Sequence, residues 1–162
     1  MKIALIGYGK MGKAIEKLAV EEGHSIVLKV NDTPTHIQLV DNQPDVAIEF
    51  TRPESAYRNI VRLLQSDIPT VSGTTGWTQH LNDIEGKVDQ YNGSFIYASN
   101  FSLGVNLFFD LIEKAARLMK EHPLYSTSIQ ETHHTEKKDA PSGTAITMAE
   151  KIMLETSYKA WE

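Results

Sequence analysis

Short runs of branched apolar residues alternate with amphipathic stretches through most of the chain. Most of these runs are followed by glycine, proline or asparagine, a pattern typical of buried strands that lead into turns. The pattern predicts five strands, at residues 2–6, 25–30, 45–50, 69–72 and 95–98. It predicts helices after the first strand, at 53–65 and, more weakly, at 77–91. Residues 33–44 are polar, contain two prolines and have no clear period, so we predict a loop there.

The alternation of strand and helix defines the fold class that we expect. It predicts an α/β protein whose residues 1–104 form a Rossmann-type doubly wound parallel sheet with helices on both faces. From residue 105 the pattern changes to a helical apolar stripe, whose members we expect to be core residues: Val105, Phe108, Ile112, Ala115 and Met119. Apolar and polar residues alternate at 124–130, which predicts a half-exposed strand. A further helix is predicted after Pro141, which suits a first helical position. We therefore predict a second α/β domain that starts within residues 105–162.

Composition and charge narrow the function classes. The 162 residues carry a net charge of −5, which provides no general attraction to nucleic acid or to an anionic membrane. The absence of cysteine excludes disulfides, a thiolate nucleophile and a thiolate metal site, and it agrees with a reducing cytoplasm. The apolar N-terminal run is too short for a signal peptide, and no apolar run is long enough to span a membrane. We expect a cytoplasmic protein.

A glycine-rich turn lies between the first strand and the first helix. Gly7, Gly9 and Gly12 form a Gly-x-Gly-x-x-Gly motif, and a second strand follows within the same βαβ unit. In a dinucleotide-binding turn the first glycine allows the tight turn, the second lets the backbone approach a pyrophosphate, and the third lets the helix pack on the strand. The alternative interpretation is an ordinary βα turn. The motif in this context predicts a dinucleotide site.

The end of the second strand bears on the choice between NADH and NADPH. An acidic residue there binds ribose hydroxyls, whereas a nearby basic residue holds a 2′-phosphate. The chain has Asn31 followed by Asp32 at this point, with Lys10 in the glycine turn. Both cofactors therefore remain open.

Two further predicted strands end in turns of small polar residues, Gly73–Gly76 and Asn100–Gly104. In an open parallel sheet, ligands bind beyond the carboxyl ends of the strands. We therefore expect these turns and the glycine motif to lie along one edge. Gly73 and Thr75 are well placed for contacts to a nicotinamide carboxamide.

The stretch 131–144 is locally cationic. It contains two histidines and two lysines, namely His133, His134, Lys137 and Lys138. It then enters a helix whose first amides, at Ser142, Gly143 and Thr144, form a ready anion site. A histidine is a suitable proton donor near neutral pH, and fixed positive charge attracts an anionic substrate. The alternatives are a solvated surface loop, structural histidines, or a metal site, which the lack of spaced acidic partners disfavours. We expect Lys138 to face solvent and predict no metal site.

Taken together, these motifs resemble the 4-hydroxy-tetrahydrodipicolinate (dihydrodipicolinate) reductase family. The most specific match is His-His-x-x-Lys-x-Asp-Ala-Pro-Ser-Gly-Thr-Ala at 133–145. Gly7–Gly12, Ile48–Pro53, Gly73–Gly76 and Ser99–Asn106 follow the family's order and extend the resemblance over nearly the whole chain.

The resemblance implies a reduction that uses NADH or NADPH and converts a cyclic dicarboxylate to tetrahydrodipicolinate, in the diaminopimelate route to lysine. It implies His133 as general acid, with Lys137 and His134 at the substrate and Ser142, Gly143 and Thr144 at a substrate carboxylate. The implied cofactor residues are Gly7, Tyr8, Gly9, Lys10, Met11, Gly12, Asn31, Asp32, Phe50, Thr51, Gly73, Thr74, Thr75, Ser99, Asn100 and Phe101.

The resemblance also sets expectations for assembly and length. Full-length members of the family are implied to be homotetramers, and they are longer, so we expect part of the second domain to lie outside these 162 residues. The alternatives are another nicotinamide oxidoreductase that acts on a small amino or keto dicarboxylate, and a non-catalytic dinucleotide-binding fragment.

Overall fold

The structure, a computed structural model, describes residues 1–133, 135 and 140–161. It divides the chain into two compact units, Met1–Ala98 and Ser99–Glu162. The first unit contains β1 (Lys2–Ile6), α1 (Lys10–Glu21), β2 (Ser25–Val30), α2 (His36–Asn42), β3 (Val46–Glu49), α3 (Pro53–Gln65), β4 (Thr70–Ser72), a 3-10 turn (Thr78–His80), α4 (Leu81–Tyr91) and β5 (Phe95–Tyr97). The second unit contains α5 (Leu103–Met119) and α6 (Gly143–Glu155). No helix in the described ranges has the length and apolar character needed to cross a membrane.

The five strands form one sheet in the order β2-β1-β3-β4-β5, and every neighbouring pair is parallel. This confirms the predicted α/β class and its parallel sheet. The order reverses at β1, which has β2 on one side and β3 on the other. In doubly wound sheets a ligand crevice opens at such a switch point, beyond the carboxyl ends of the strands.

Helices cover both faces of the sheet because successive strand residues point to opposite sides. One apolar cluster joins Ile3 and Leu5 of β1 to Ala19 of α1. On the opposite face, Ala4 and Ile6 belong to a cluster that includes Leu39 of α2 and Leu63 of α3. A third cluster packs α3 and α4 around Trp77, which is fully buried and makes edge contacts with Phe95 and Tyr97.

The loop predicted at residues 33–44 is wrong, because α2 occupies its centre. Thr35 accepts a hydrogen bond from the amide of Gln38, and the Gln38 side chain accepts one from the amide of Thr35, at 2.9 Å. This reciprocal capping box satisfies amides that a short helix would otherwise leave without partners. Leu39 then anchors the helix in the core.

The second unit is built on the pair α5 and α6. The helices are linked by ion pairs, with Arg117 Nη2 2.7 Å from Glu155 Oε1 and Lys151 Nζ 2.7 Å from Glu113 Oε2. Their buried apolar residues are Phe109, Ala116, Ala145, Ala149 and Ile152. The predicted α5 stripe is therefore partly wrong, since Phe108, Ala115 and Met119 are exposed and Phe109 and Ala116 are buried in their place.

Two other expectations for the second unit are wrong. Residues 124–130 were predicted as a strand, but no regular element forms there. A strand requires a hydrogen-bonded neighbour, and no strand occurs among the described residues of this unit. The helix after Pro141 begins at Gly143, because the Ser142 hydroxyl accepts from the amide of Ala145 and makes Ser142 the N-cap.

Candidate active site

The glycine turn after β1 has no room for side chains at two of its three glycines. Gly7 has a φ of +97°, and a Cβ there would lie 1.9 Å from the carbonyl oxygen of Phe50. A Cβ on Gly12 would lie 2.2 Å from the carbonyl oxygen of Gly7. A Cβ on Gly9, in contrast, would meet no atom within 4 Å. The turn is therefore closely packed at Gly7 and Gly12 and open at Gly9, just before the start of α1. Backbone amides at a helix start favour a phosphate group. The residues present fit a dinucleotide.

Asn31 and Tyr8 hold this turn in place. The amide of Tyr8 donates to Asn31 Oδ1 at 2.8 Å. The Tyr8 hydroxyl donates to Glu16, which also accepts from Lys29 Nζ at 2.7 Å, and Lys29 Nζ lies 4.9 Å from the centre of the Tyr8 ring. The hydrogen bond from Lys29 is the main reason that the pKa of Glu16 is lowered. The side-chain oxygen of Asn31 is thus engaged within the protein, and the exposed Asp32 is the acidic group available at the end of β2.

The ends of β1, β3 and β4 meet around Phe50. The amide of Phe50 donates to the carbonyl of Ile6 at 2.8 Å, and the amide of Gly73 donates to the carbonyl of Glu49 at 2.9 Å. A Cβ on Gly73 would lie 2.1 Å from the Phe50 ring, so a side chain at this position would displace the ring. Within the first unit, the structure therefore brings the predicted residues of these three turns to one edge of the sheet.

Thr51 and Thr74 turn their hydroxyls inward. Both hydroxyls donate to Glu49, a fully buried residue at the end of β3 that sequence reasoning did not single out. An acidic residue inside the apolar run of a predicted strand was the available signal. Thr75 is exposed at the same edge.

The remaining predicted cofactor residues, Ser99, Asn100 and Phe101, belong to the second unit. Asn100 Oδ1 accepts from the amide of Ser102 at 2.8 Å, and the Asn100 carbonyl accepts from Asn106 Nδ2 at 3.0 Å. These bonds fix the entry into α5. Phe101 is half exposed.

Glu131 joins the proposed general acid to the start of α6. Its Oε2 lies 2.8 Å from His133 Nε2 and accepts from the Ser142 hydroxyl at 2.5 Å, while Oε1 accepts from the Ser142 amide at 2.8 Å. The hydrogen bond from the Ser142 hydroxyl, followed by that from His133, lowers the pKa of Glu131 from 4.5 to about 2. The Glu131 carboxylate therefore occupies the helix start that is predicted to bind a substrate carboxylate. Sequence reasoning did not assign Glu131 a role.

The other predicted residues of this region divide into two groups. Gly143 and Thr144 lie in the first turn of α6, where helix amides have no intrahelical acceptor. His134, Lys137 and Lys138 lie outside the described residues.

A parallel sheet with a glycine turn at its switch point, followed by a unit that carries a histidine beside a helix start, is typical of nicotinamide-dependent oxidoreductases. The family model described as "Dihydrodipicolinate reductase, N-terminus" matches residues 1–101, and "Dihydrodipicolinate reductase, C-terminus" matches residues 104–160. The chain belongs to the dihydrodipicolinate reductase family. The predicted family is confirmed, and the reductases of this family use NADH or NADPH in lysine and diaminopimelate biosynthesis.

Individual relatives of the chain carry the name of the same family. The 4-hydroxy-tetrahydrodipicolinate reductase of Christiangramia forsetii is 45% identical over 100% of this chain and 68% of its own length. That of Neisseria meningitidis is 35% identical over 85% of this chain and 50% of its own length. A solved dipicolinate-bound dihydrodipicolinate reductase from Paenisporosarcina matches with a TM-score of 0.72 at 27% identity, covering 100% of this chain and 69% of that one. The chain thus spans about half to two thirds of these relatives.

Proposed function

We propose that this protein is an NAD(P)H-dependent reductase that converts 4-hydroxy-tetrahydrodipicolinate to tetrahydrodipicolinate. Membership of the family supports the reaction class. The observation that carries the proposal for this chain is the arrangement at α6, where one carboxylate joins His133 to the helix start. A proton donor and an anion site in one short segment are what reduction of a dicarboxylate requires.

In this proposal the cofactor is held by the edge of the first unit. The glycine turn binds the pyrophosphate through backbone amides, Asp32 binds ribose, and Gly73 and Thr75 contact the nicotinamide carboxamide. Ser99, Asn100 and Phe101 keep the cofactor role that the family resemblance implies. When bound, the nicotinamide supplies a hydride.

The residues of the second unit bind the substrate and deliver a proton. The amides of Gly143 and Thr144 bind a substrate carboxylate, with His134 and Lys137 adding positive charge as the family resemblance implies. His133 donates the proton that must accompany the hydride. Glu131 orients the His133 ring through their 2.8 Å contact. Ser142 reaches the substrate only when Glu131 turns away from it.

The test is turnover by the chain itself. Substrate made enzymatically from aspartate semialdehyde and pyruvate is added, and the absorbance of NADH and of NADPH is followed. We expect consumption of at least one cofactor that depends on this substrate. Consumption with a different amino or keto dicarboxylate, and none with this substrate, would favour another nicotinamide oxidoreductase.

A second candidate is a dinucleotide-binding protein without catalysis. It is favoured by the first unit, which contains the glycine turn and its own apolar core. Calorimetric binding of NADH or NADPH with no turnover on any dicarboxylate would select it.

Two finer features complete the proposal. We infer cytoplasmic localisation, which a cysteine-free chain and a biosynthetic family support. We also infer that the full-length family member is a homotetramer, and exposed leucines on α5, at 107, 111 and 118, support association through this unit. Light scattering of the full-length protein tests the tetramer, and a monomer would contradict it.

A further inference from the structure

Glu49 lies at the end of β3 and is fully buried. Its carboxylate accepts from the Ser72 hydroxyl at 2.6 Å, the Thr74 hydroxyl at 3.0 Å and the Thr51 amide at 3.1 Å. The Thr51 hydroxyl makes a fourth, short hydrogen bond to it. Every one of these groups is a donor. The donors come from two neighbouring strand ends, those of β3 and β4.

Burial of this carboxylate needs an explanation beyond stability. Desolvation of a carboxylate is costly, and hydrogen bonds offset that cost without making the site better than a well-packed apolar one. An apolar residue at this position, like its strand neighbour Ala47, would be the simpler core. Unlike an apolar side chain, a carboxylate sets the orientation of the donors around it. It fixes the hydroxyls of Thr51 and Thr74, and with them the two loops.

The hydrogen bonds continue on both sides of Glu49. Asn59 on α3, also fully buried, donates to Thr51 Oγ1 at 3.1 Å and accepts from Thr33 Oγ1 at 2.7 Å. Thr33 follows the predicted ribose ligand Asp32. On the β4 side, Trp77 Nε1 donates to the Thr74 carbonyl at 2.6 Å. A continuous chain of hydrogen bonds therefore links the loops after β2, β3 and β4.

We propose that Glu49 is a positioning residue for the dinucleotide, because it holds the loops at Thr51 and Thr74 in their binding conformation before the cofactor arrives. The inference rests on the proposed function, in which those loops contact the cofactor. Groups that are already ordered lose less conformational entropy on binding, so loss of Glu49 must appear as weaker cofactor affinity. A residue that only stabilises the fold would not have this effect well below the melting temperature.

The test compares Glu49→Gln and Glu49→Asp with a core variant, Leu63→Ala. The glutamine is nearly isosteric but points an NH2 group at hydroxyl and amide donors, whereas the aspartate keeps an acceptor that is one methylene shorter. Leu63 is buried on α3, in the cluster on one sheet face, so its variant loses stability without losing a hydrogen bond to the loops. The dissociation constants of NADH and NADPH are measured by calorimetry, at a temperature where all variants are folded. Amide hydrogen exchange is measured without cofactor.

We expect Glu49→Gln to weaken binding of the preferred cofactor about tenfold or more, and Glu49→Asp to weaken it less. Leu63→Ala should bind as the wild type does, despite a lower melting temperature. The amide of Thr51 and the loop at 73–76 should exchange faster in Glu49→Gln, whereas Leu63→Ala should raise exchange throughout the unit.

Wild-type affinity in Glu49→Gln would overturn the inference and leave the proposed function intact. Failure of the wild type to bind either dinucleotide would defeat the proposed function, and the inference with it. If Glu49→Gln does not fold, Ser72→Ala decides the question, because it removes one donor and keeps the carboxylate. Affinity for the preferred cofactor that falls a few-fold would support the inference, and unchanged affinity would overturn it.

Discussion

The two units of the molecule treat apolar and charged groups in different ways. In the first, Ile3 is 3% exposed and Leu5 is fully buried, and each strand has a hydrogen-bonded neighbour. In the second, Leu107 is 59% and Leu118 is 74% exposed on α5, and no strand forms among the described residues. The first unit builds three buried apolar clusters from its own residues. Much of the apolar surface of α5 in the second is exposed among the described residues.

One carboxylate from each unit shows the same contrast. Glu49 is fully buried and fixed by four donors at the ends of two strands, whereas Glu131 is partly exposed and bonds to His133 and Ser142. The first arrangement suits rigid binding of a large cofactor. The second suits an exchange of partners when a substrate carboxylate arrives. The comparison therefore predicts that variants of the first unit alter cofactor binding and fold, and that variants of the second alter turnover.

The largest effect is expected at His133. His133→Gln removes the proposed proton donor but keeps a polar side chain of similar reach. We expect kcat to fall by about 10²–10⁴-fold, the usual contribution of a general acid, with an unchanged dissociation constant for the cofactor. Steady-state kinetics and calorimetry measure the two. His122→Gln, an exposed histidine beyond α5, is the matched control and should behave as the wild type. Near-normal turnover in His133→Gln would remove its assignment as the acid.

The next effect separates fold from binding within the glycine turn. Gly7→Ala places a Cβ 1.9 Å from the Phe50 carbonyl oxygen at a φ of +97°, so we expect the free energy of unfolding to fall by about 3 kcal/mol. Gly9→Ala meets no atom within 4 Å, and its stability should change by less than about 0.5 kcal/mol. Both should weaken NADH or NADPH binding, Gly9→Ala through its effect on the ligand alone. Urea unfolding with calorimetry tests the pair. Gly9→Ala with wild-type affinity would contradict a close approach of the pyrophosphate.

The parts of the fold and of the site that the sequence predicts are those whose signal lies within a short stretch of residues. The strands and the first-unit helices other than α2 are predictable because apolar period and turn residues are properties of short windows. The sequence of α2 also carried its signal, a Thr-x-x-Gln capping box, but its prolines and polar residues outweighed it. The cluster around Glu49 was not predictable in this way. Its donors Ser72 and Thr74 lie 23 and 25 residues further along the chain, and no local pattern registers such contacts.

The errors in the second unit have the same physical origin. Alternation at 124–130 is a strand signal, but a strand depends on a partner that sequence windows do not contain. The buried face of α5 likewise depends on what packs against the helix. Phe109 is therefore buried, whereas the predicted Phe108 is exposed. The bond between Glu131 and Ser142 spans 11 residues and became visible only when α6 was positioned.

A smaller effect is expected at Lys137, whose role rests on the family resemblance. Lys137→Ala removes one charge that is proposed to attract and hold the dicarboxylate. A charge-assisted hydrogen bond of this kind corresponds to about tenfold in KM. We expect kcat to change less than KM. Lys138→Ala removes the same charge from the neighbouring position and should leave KM nearly unchanged. Equal effects of the two variants on KM would mean that only general positive charge matters.

The smallest effect is a pH dependence of stability at Glu131. Its pKa of about 2 in the folded chain lies below the ordinary value of 4.5. A carboxyl whose pKa is lowered by folding stabilises the fold above its ordinary pKa, and this contribution is lost as the pH falls towards the folded value. Stability of the wild type should therefore decline between about pH 5 and pH 2 more steeply than that of Glu131→Gln. Thermal unfolding followed by circular dichroism measures both. Glu150→Gln makes the same charge change at an exposed position of α6 and should keep the wild-type slope. Parallel curves for wild type and Glu131→Gln would mean that the bonds to Ser142 and His133 do not stabilise the unit, and that Glu131 is already mobile enough to leave the helix start to a substrate.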